Sequence, residues 1–516
     1  MQSADQQPLL FQRVGRWLVS KGKENRLPML AAFVFGFLAH TFAFTNKLLN
    51  HDEANSLFSK GGTIVLGRWG LGAMDSVFPN VSMPWIYGVI TIALLAVSVC
   101  VVVHILHLRS GWYQVLAAGF IMTFPSLTGT FGYMFTSSSY GVAFLLAVLA
   151  VWLLQKPDKW FWAGALVCMV ASLSIYQAYV SLAAGLLVLV VIRQLLDGED
   201  AAAVLRRGIA YVVFLVLALG LYYGAALVIL KLKHLEMVSY ASDSLAFSPL
   251  SLPANIAAAY RAFFRFFREG SLCLIPTALS RTLHGILLIC AAGMLLLRLI
   301  GKKRTALSLV LFAIALLLFP LAVCCMYLFT APDSIHTLVM YGFVNVYLLV
   351  LVLAEGCRPA GQKWAGILRA AVLNAAPVLS ALIIVINIYI ANESYLTLHL
   401  RYENAYAFYT SLIADMKQSP DFTEGTRLAV IGTWKDPAFY EENLNFTNAL
   451  TGVTGFKPDS YSKERFMQYY LGFSIPFASE AEQEEIASTE AYAAMPAYPY
   501  YGSMQKFGDI LVVKLS

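Results

Sequence analysis

Long apolar stretches recur along the chain from Pro28 to Tyr389, and short polar or basic segments separate them. A transmembrane helix needs about 20 mostly apolar residues to cross a bilayer core of roughly 30 Å. By this measure the pattern predicts eleven transmembrane helices, over residues 28–45, 85–106, 113–131, 139–155, 160–176, 180–195, 209–231, 283–300, 305–329, 337–356 and 367–392. The expected fold class is therefore an α-helical polytopic membrane protein.

The polar segments divide the chain into three parts. Residues 1–27 form a basic, amphipathic N-terminal segment, and residues 28–393 form a transmembrane module. Within this module, long polar loops are expected at 46–84 and 231–282. Residues 394–516 contain no long apolar stretch, and a helical pattern is followed there by short strand-like runs. This combination predicts a small C-terminal α/β domain.

Basic residues alternate with the predicted spans in a way that orients them. Lys and Arg near helix ends are retained in the cytoplasm. Those of the short connections all fall on the side of the N-terminus: Arg109, Lys156, Lys159, Arg193, Arg206, Arg207, Arg298, Lys302, Lys303, Arg304, Arg358, Lys363 and Arg369. We therefore predict a cytoplasmic N-terminus, with both long loops and the C-terminal domain outside, so that residue 10 is cytoplasmic and residue 450 is extracytoplasmic.

The composition supports a membrane location and narrows the chemistry. Apolar residues make up 59% of the chain and charged residues 13%, whereas charged residues approach a quarter of an ordinary soluble protein. The seven cysteines lack metal-ligand spacing, so neither a disulfide framework nor a zinc site is expected. The sequence has no Walker-type phosphate loop and no His-Glu-x-x-His helix, which argues against an ATP-driven pump and a zinc protease. Nothing indicates a nucleic-acid partner.

The loop after the first span carries the residues with the most evident chemistry. It holds the adjacent carboxylates Asp52 and Glu53, and Lys60 and Arg68 follow. Two carboxylates so close to a membrane surface are costly unless they are solvated or used. We expect Asp52, beside Glu53, to accept the proton of a hydroxyl that attacks an anomeric carbon, and the two cations to stabilise a departing phosphate. The alternative is an ordinary polar loop.

A second candidate lies in the loop 231–282, where residues 253–270 have the sequence PANIAAAYRAFFRFFREG. On a helix, Arg261, Arg265 and Arg268 fall on one face, while the phenylalanines point mostly elsewhere. This pattern predicts an amphipathic helix in the membrane interface. Its arginines suit a donor phosphate, because guanidinium groups form paired hydrogen bonds to phosphate oxygens. Alternatively, the helix only anchors the loop to anionic lipid headgroups.

Five further residues are candidates for contacts with a sugar or an acceptor. Tyr176, Gln177 and Tyr179 lie in the short turn between the fifth and sixth spans, where Gln177 offers hydrogen bonds to a sugar hydroxyl. His234 and His336 are predicted on the same side of the membrane. Tyrosines at this depth more often anchor a helix in the interface, and a single histidine is more often structural, so both interpretations stay open.

The acidic pair, the Ser-Lys-Gly and Gly-Arg-Trp of the same loop, and the Tyr-Gln-Ala-Tyr turn together carry a resemblance to a known family. The N-terminal half, mainly residues 28–195, resembles the type II Gtr glucosyltransferases, best known from phage-encoded serotype conversion of O-antigen. The resemblance implies the GT-C fold of family C glycosyltransferases and a polyprenyl-phosphate-sugar donor, commonly glucose. By the same resemblance, Asp52 and Glu53 match the catalytic acidic pair, and Arg68 matches the basic residue of Gly-Arg-Trp.

The resemblance also implies the acceptor of the sugar and the side of the membrane on which transfer occurs. Transfer is expected on the outer face of a bacterial cytoplasmic membrane, to a cell-envelope polysaccharide or a lipid-linked glycan. The expected partners are this acceptor, the polyprenyl-linked donor and the membrane lipid. A small flippase and a polyprenyl-phosphate glucose synthase are expected to supply the donor.

The residues and the resemblance lead to one hypothetical mechanism. Asp52 deprotonates the acceptor hydroxyl, which displaces the lipid phosphate and inverts the anomeric centre through an oxocarbenium-like state. Arginines suffice to neutralise the phosphate, so no cofactor is required, although Asp52 and Glu53 are compatible with Mg²⁺ or Mn²⁺.

Three alternatives come from other classes of protein. A transporter or lipid flippase would place ionisable residues near the midplane of its spans, whereas the charges of this chain collect at the surface. A polysaccharide polymerase or ligase uses similar lipid-linked sugars and stays compatible with the sequence. A non-catalytic envelope scaffold would not need the acidic pair.

Overall fold

The computed structural model describes residues 22, 24–58, 63–74, 76–78, 81–237, 251–268, 277–300, 304–330, 335–357, 364–444 and 450–516. Lys60 and most of the N-terminal segment 1–27 therefore lie outside the described residues. Helices predominate in the described part, and a small sheet belongs to the C-terminal domain.

The described α-helices are, in chain order, α1 (Arg26–Thr45), α2 (His51–Asn55), α3 (Trp69–Met74), α4 (Pro84–Leu106), α5 (Gly111–Thr123), α6 (Pro125–Gly132), α7 (Met134–Leu153), α8 (Lys159–Ile175), α9 (Tyr179–Asp197), α10 (Ala201–Leu232), α11 (Leu252–Arg268), α12 (Ala278–Ile300), α13 (Ala306–Val323), α14 (Val344–Glu355), α15 (Trp364–Gln418), α16 (Ala438–Asn443), α17 (Lys463–Leu471), α18 (Glu480–Ala487) and α19 (Glu490–Ala494). Short 3-10 helices lie at Ile64–Leu66, Cys325–Leu328 and Thr337–Phe343.

The long apolar helices agree with the membrane module predicted from the sequence. Among the described residues, nine helices are long and apolar enough to cross a membrane, the bent pair α5 and α6 makes up to ten, and the shorter α8 is apolar as well. Every predicted span thus coincides with helical structure. The polytopic fold class with a small C-terminal sheet region is confirmed.

The third predicted span differs from the expectation of one straight helix. Helices α5 and α6 meet at a bend of 41° before Pro125, because proline lacks the N–H group that would continue the helix. Near the bend, the hydroxyl of Tyr341 donates to the carbonyl oxygen of Ile121. Nε2 of His40 lies 2.8 Å from the carbonyl oxygen of Met122. Such side-chain bonds are needed because a bilayer offers no water to these backbone groups.

The last span continues as a helix into the C-terminal domain. Helix α15 comprises 55 residues, which at 1.5 Å per residue is roughly 80 Å and far exceeds the thickness of a bilayer core. The predicted boundary at 394 therefore falls inside one helix. A continuous helix, rather than a flexible linker, connects the domain to the membrane module.

The C-terminal domain contains a three-stranded sheet with the order β1-β3-β2, formed by β1 (Arg427–Ile431), β2 (Met504–Phe507) and β3 (Ile510–Lys514). Strands β1 and β3 are parallel, and β2 is antiparallel to β3. The sequence predicts strands at 427–432 and 509–515, and both are confirmed. Strand β2 was not predicted, because four residues are too few for an alternating pattern to be recognised.

One apolar core joins the sheet, α15 and the loop after α1. Leu428 and Leu511 of the sheet pack in a buried cluster with Tyr409 of α15. Leu49 and Ala54, on either side of the acidic pair, belong to the same cluster. The predicted catalytic loop is therefore fixed against the C-terminal domain.

Candidate active site

The side chain of Asn50, which is fully buried, holds the loop after α1 in place. Its Oδ1 accepts a hydrogen bond of 2.8 Å from the backbone N–H of Glu53 and so caps α2. Its Nδ2 donates to the carbonyl oxygens of Gly132, at 2.7 Å, and Gly452, at 3.0 Å. Asn50 thus connects the loop both to the end of α6 and to the C-terminal domain.

Glu53 is the buried member of the acidic pair. Its side chain has 0% exposure and accepts hydrogen bonds from Nζ of Lys47, the hydroxyl of Ser82 and, at 3.1 Å, the backbone N–H of Phe135. The ion pair with Lys47 offsets the cost of burying the carboxylate. These contacts join both ends of the first loop to the start of α7, which indicates a structural role for Glu53.

Asp52 occupies a different environment, because consecutive residues of a helix lie about 100° apart around its axis. Its side chain is 40% exposed, and Nε2 of His51 lies 3.6 Å from its Oδ2. The hydroxyl of Tyr461, from the C-terminal domain, donates a hydrogen bond to its Oδ1. Burial and the hydrogen bond to Asp52 raise the pKa of Tyr461, so this phenol remains a proton donor at neutral pH. Asp52 is thus oriented yet accessible, as a general base must be.

Arg68 follows Gly67, whose φ of 73° is a conformation that favours glycine. Its Nη1 donates to the hydroxyl of Tyr140 at 3.1 Å, and its guanidinium lies over the ring of Tyr176, 5.2 Å from the ring centroid. The rings of Tyr140 and Tyr176 are themselves stacked, with centroids 4.3 Å apart. The guanidinium is therefore held by the hydroxyl of Tyr140, near the start of α7, and by the ring of Tyr176, just after the end of α8.

Gln177 positions the turn that precedes Arg68. Its Nε2 donates to the carbonyl oxygen of Leu66, at 3.2 Å, and to the hydroxyl of Tyr222, at 2.8 Å. That hydroxyl donates in turn to the carbonyl oxygen of Gly67, at 3.0 Å. The structure thus engages the amide nitrogen of Gln177 in contacts within the protein, and its contact with a sugar stays a prediction.

Tyr133, between α6 and α7, lies within electrostatic reach of both Asp52 and Arg68. Burial raises the pKa of Tyr133, the charge of Asp52 raises it further, and the charge of Arg68 opposes the shift. His336 also lies near Arg68, since burial and then that positive charge lower the pKa of His336 to about 4. We refer to Asp52, Arg68, Tyr133, His336 and Tyr461 as the Asp52 cluster.

The arginine face predicted for residues 253–270 is present on α11. Arg261, Arg265 and Arg268 are exposed. Phe266 is buried and stacks on Phe343, with ring centroids 4.1 Å apart. Phe343 is the last residue of the 3-10 helix Thr337–Phe343, which begins directly after His336 of the Asp52 cluster. Helix α11 thus packs on a segment that begins at this cluster, and its arginines lie on the exposed face of the helix.

Of the remaining candidates, Tyr176 contacts the Asp52 cluster through Arg68. The ring of Tyr179 is buried in the aromatic core, with its centroid 5.4 Å from that of Phe144. Tyr176 is buried beneath the guanidinium described above, and His234 is exposed just beyond the end of α10. Their roles in sugar binding stay predictions.

Three tyrosines near the acidic loop were not predicted from the sequence. Tyr133 and Tyr140 belong to no recognisable motif, and Tyr461 is 409 positions away from Asp52 in the chain. No local pattern could have indicated these contacts. Within the described residues, no group of three or more His, Cys, Asp or Glu side chains is placed to hold a metal ion.

The sequence model of a known family, described as Glucosyl transferase GtrII, matches residues 41–347. This segment is more than half of the 516-residue chain, and it includes the acidic pair, Arg68 and all of α11. No curated protein and no solved structure matches the chain. The family expected from the sequence motifs is confirmed, and the chain belongs to the GtrII family of glucosyltransferases.

Proposed function

We propose that this membrane glucosyltransferase moves glucose from a polyprenyl-phosphate donor to a hydroxyl of a cell-envelope polysaccharide or a lipid-linked glycan. The observation that carries the proposal is the Asp52 cluster, in which an accessible carboxylate and a guanidinium lie at the same end of an apolar helical bundle. The reaction takes place on the outer face of the bacterial cytoplasmic membrane. A small flippase and a polyprenyl-phosphate glucose synthase supply the donor on that face.

In this mechanism, Asp52 is the general base. It takes the proton of the acceptor hydroxyl as the hydroxyl oxygen attacks the anomeric carbon, and the bond from that carbon to the phosphate oxygen breaks. The lipid phosphate leaves with the electron pair, and the single displacement inverts the anomeric centre. Arg68 stabilises the negative charge that develops on the phosphate. Because the guanidinium supplies this positive charge, the mechanism includes no cofactor.

An apolar groove supports the assignment of a lipid-linked donor. It lies between α9, α10 and α13, has a volume of about 480 Å³ and is lined almost entirely by apolar side chains. Cys325 and Leu328, just beyond the end of α13, line one end of the groove. The intervening Tyr327 is close enough to Arg265 for that charge to act on its phenol group. A polyprenyl chain in this groove would bring its phosphate towards the arginines of α11.

Defined donors test the proposal directly. Purified protein in lipid discs is expected to transfer glucose from polyprenyl-phosphate glucose to a lipid-linked oligosaccharide acceptor. A polymerase or ligase would instead consume a pyrophosphate-linked oligosaccharide as its donor and leave the monophosphate donor intact. Movement of the lipid across a bilayer without transfer of glucose would favour a flippase, and inactivity with both donors would favour a scaffold.

Arg265→Ala is expected to weaken use of the donor by about tenfold to a hundredfold, because a hydrogen bond between charged groups contributes roughly 1.5 to 3 kcal/mol. The measurement is the apparent KM for polyprenyl-phosphate glucose. Arg206→Ala is the matched control, since Arg206 is also exposed on a helix but lies at the opposite end of the bundle. Equal effects of the two changes would mean that α11 only anchors its loop to lipid.

Cysteine labelling tests the orientation on which the proposal depends. In a variant without native cysteines, Tyr501→Cys is expected to react with an impermeant reagent added outside the cytoplasmic membrane, and Trp160→Cys only after the membrane is opened. Both side chains are exposed, whereas Leu450 is buried and would be a poor probe of the C-terminal domain. The opposite labelling pattern would place the Asp52 cluster in the cytoplasm and contradict the proposed location.

A further inference from the structure

A second polar site lies at the end of the bundle opposite the Asp52 cluster. Helix α4 runs from one site to the other. It begins two residues after Ser82, whose hydroxyl donates to Glu53 beside the Asp52 cluster, and it ends at the second site. A cavity of about 770 Å³ lies there between the C-terminal ends of α4, α9, α12 and α14. Its charged lining comprises four arginines and two carboxylates, namely Arg109, Arg193, Arg298, Arg369, Asp197 and Glu355. We call this space the arginine cavity.

Arg298 is built into the wall of the arginine cavity. Its side chain is only 7% exposed. Nη2 donates to Oδ1 of Asp197 at 2.8 Å, and Nη1 donates to the carbonyl oxygen of Val352 at 3.1 Å. The guanidinium packs directly against Gly356, where a Cβ atom would lie 2.1 Å from Cζ of Arg298. An ion pair and a backbone hydrogen bond thus hold this cation at the cavity.

Arg193 has hydrogen-bonding capacity that the protein does not use. Its side chain is 8% exposed, and its Nη1 lies 3.9 Å from Oδ2 of Asp197 and contacts Nδ1 of His107. Within the described residues, Nε of Arg193 and Nε of Arg369 are buried without a hydrogen-bond partner. A buried N–H without a partner costs free energy. Both arginines line the arginine cavity, so its wall contains guanidinium groups that are only partly hydrogen-bonded within the protein.

The excess of positive charge continues into a neighbouring space. A second cavity, of about 590 Å³, shares Arg193 and His107 with the arginine cavity and adds Lys156 and Arg207 to the lining. Glu199 pairs with Arg207 at 2.7 Å. The two adjoining cavities therefore offer a ligand more cations than carboxylates.

Some of the cations near the two cavities stabilise the C-terminal ends of helices. Carbonyl groups at helix C-termini lack partners within the helix and attract cations. Arg304 fills that role, because its Nη2 donates to the carbonyl oxygen of Leu196 at 2.9 Å. The same role does not account for the open volume that Arg193 and Arg369 line.

We propose that the arginine cavity binds a phosphate group, carried by the headgroup of an anionic lipid. Guanidinium groups match phosphate oxygens through paired hydrogen bonds, and basic pockets between helices at a membrane surface suit phosphorylated headgroups. The volume falls within the range of sites for small ligands. The bound lipid connects the ends of four helices and stabilises the bundle. This site is separate from the Asp52 cluster and does not depend on the proposed transfer reaction.

Thermal unfolding of the full chain in lipid discs tests the proposal. The unfolding midpoint is expected to rise by several degrees when phosphatidylglycerol replaces part of the phosphatidylcholine, because a ligand that binds the folded state stabilises it. Arg193→Gln and Arg109→Gln are expected to weaken the apparent affinity for phosphatidylglycerol by about tenfold or more. Arg109 is exposed, so its variant keeps the test decisive if the change at buried Arg193 impairs folding. Arg206→Gln, an exposed charge at the same end, is expected to behave like the unmodified protein.

Inorganic pyrophosphate in discs of phosphatidylcholine alone distinguishes a soluble phosphate from a lipid. Stabilisation by pyrophosphate but not by phosphatidylglycerol would overturn the lipid source. An equal response of the unmodified protein and the Arg109 and Arg193 variants would overturn the site itself. A response lost equally in the Arg206 variant would also overturn it, because the effect would then reflect surface charge in general.

Discussion

Replacement of Asp52 by asparagine is expected to lower turnover by about a hundredfold to ten-thousandfold, the contribution of a positioned general base. The asparagine keeps the size of the side chain and accepts the hydrogen bond from Tyr461, but it cannot take the proton of the acceptor hydroxyl. Binding of the donor is expected to change little, so the loss appears in kcat. The measurement is the steady-state rate of glucose transfer from polyprenyl-phosphate glucose.

An exposed carboxylate of the C-terminal domain provides the control for this change. Glu484 is exposed on α18, and Glu484→Gln is expected to leave the rate unchanged. A substitution at a solvated surface position usually changes stability by less than about 0.5 kcal/mol. Full activity of Asp52→Asn would remove this residue from the mechanism and return the polymerase, flippase and scaffold alternatives to consideration.

Glu53→Gln is expected to destabilise the fold by about 1.5 to 3 kcal/mol, because it removes the charge that Lys47 pairs with in a partly buried site. The carboxylate is fully buried, and its three donors come from the loop and from the start of α7. The unfolding midpoint in detergent measures the loss. Residual activity of the folded fraction is expected to exceed that of Asp52→Asn, since Glu53 acts through the position of the loop.

A double-mutant cycle with Lys47→Met separates the structural role of Glu53 from a catalytic one. If the ion pair is the reason for the loss, the double variant is expected to be more stable than the sum of the two single changes predicts. Stability near that of the unmodified protein together with abolished transfer would instead identify Glu53 as a base. In that case the two adjacent carboxylates would have exchanged the roles assigned to them.

The acidic loop shows where prediction from the sequence ends. Two adjacent carboxylates after the first span indicated the candidate site, yet their different roles depend on how the five residues of α2 are packed. One side of α2 faces Lys47 and the start of α7, and the other side faces the exposed Tyr461. The two residues carry the same charge and are neighbours in the chain, so only the surrounding structure distinguishes their roles.

Gln177 and the basic residues at the opposite end show the same limit. The Tyr-Gln-Ala-Tyr turn predicts a sugar contact by Gln177, and the structure adds that the amide nitrogen bonds to Leu66 and Tyr222 and thereby supports the turn before Arg68. From the sequence, Arg193 and Arg298 are expected only to orient the helices. Their convergence on one cavity appears only when the ends of four helices are packed together.

The sequence by itself determined the membrane class, the positions of the spans and the loop that carries Asp52 and Arg68. These features follow from local rules: an apolar helix of sufficient length must cross a bilayer, and basic residues remain on one side of it. The tertiary structure alone decided that Asp52 is accessible and Glu53 buried, that Tyr461 reaches the site from 409 positions away, and that four arginines line a second cavity. Burial and hydrogen-bond partners depend on which distant segments pack together, and neither composition nor periodicity along the chain contains that information.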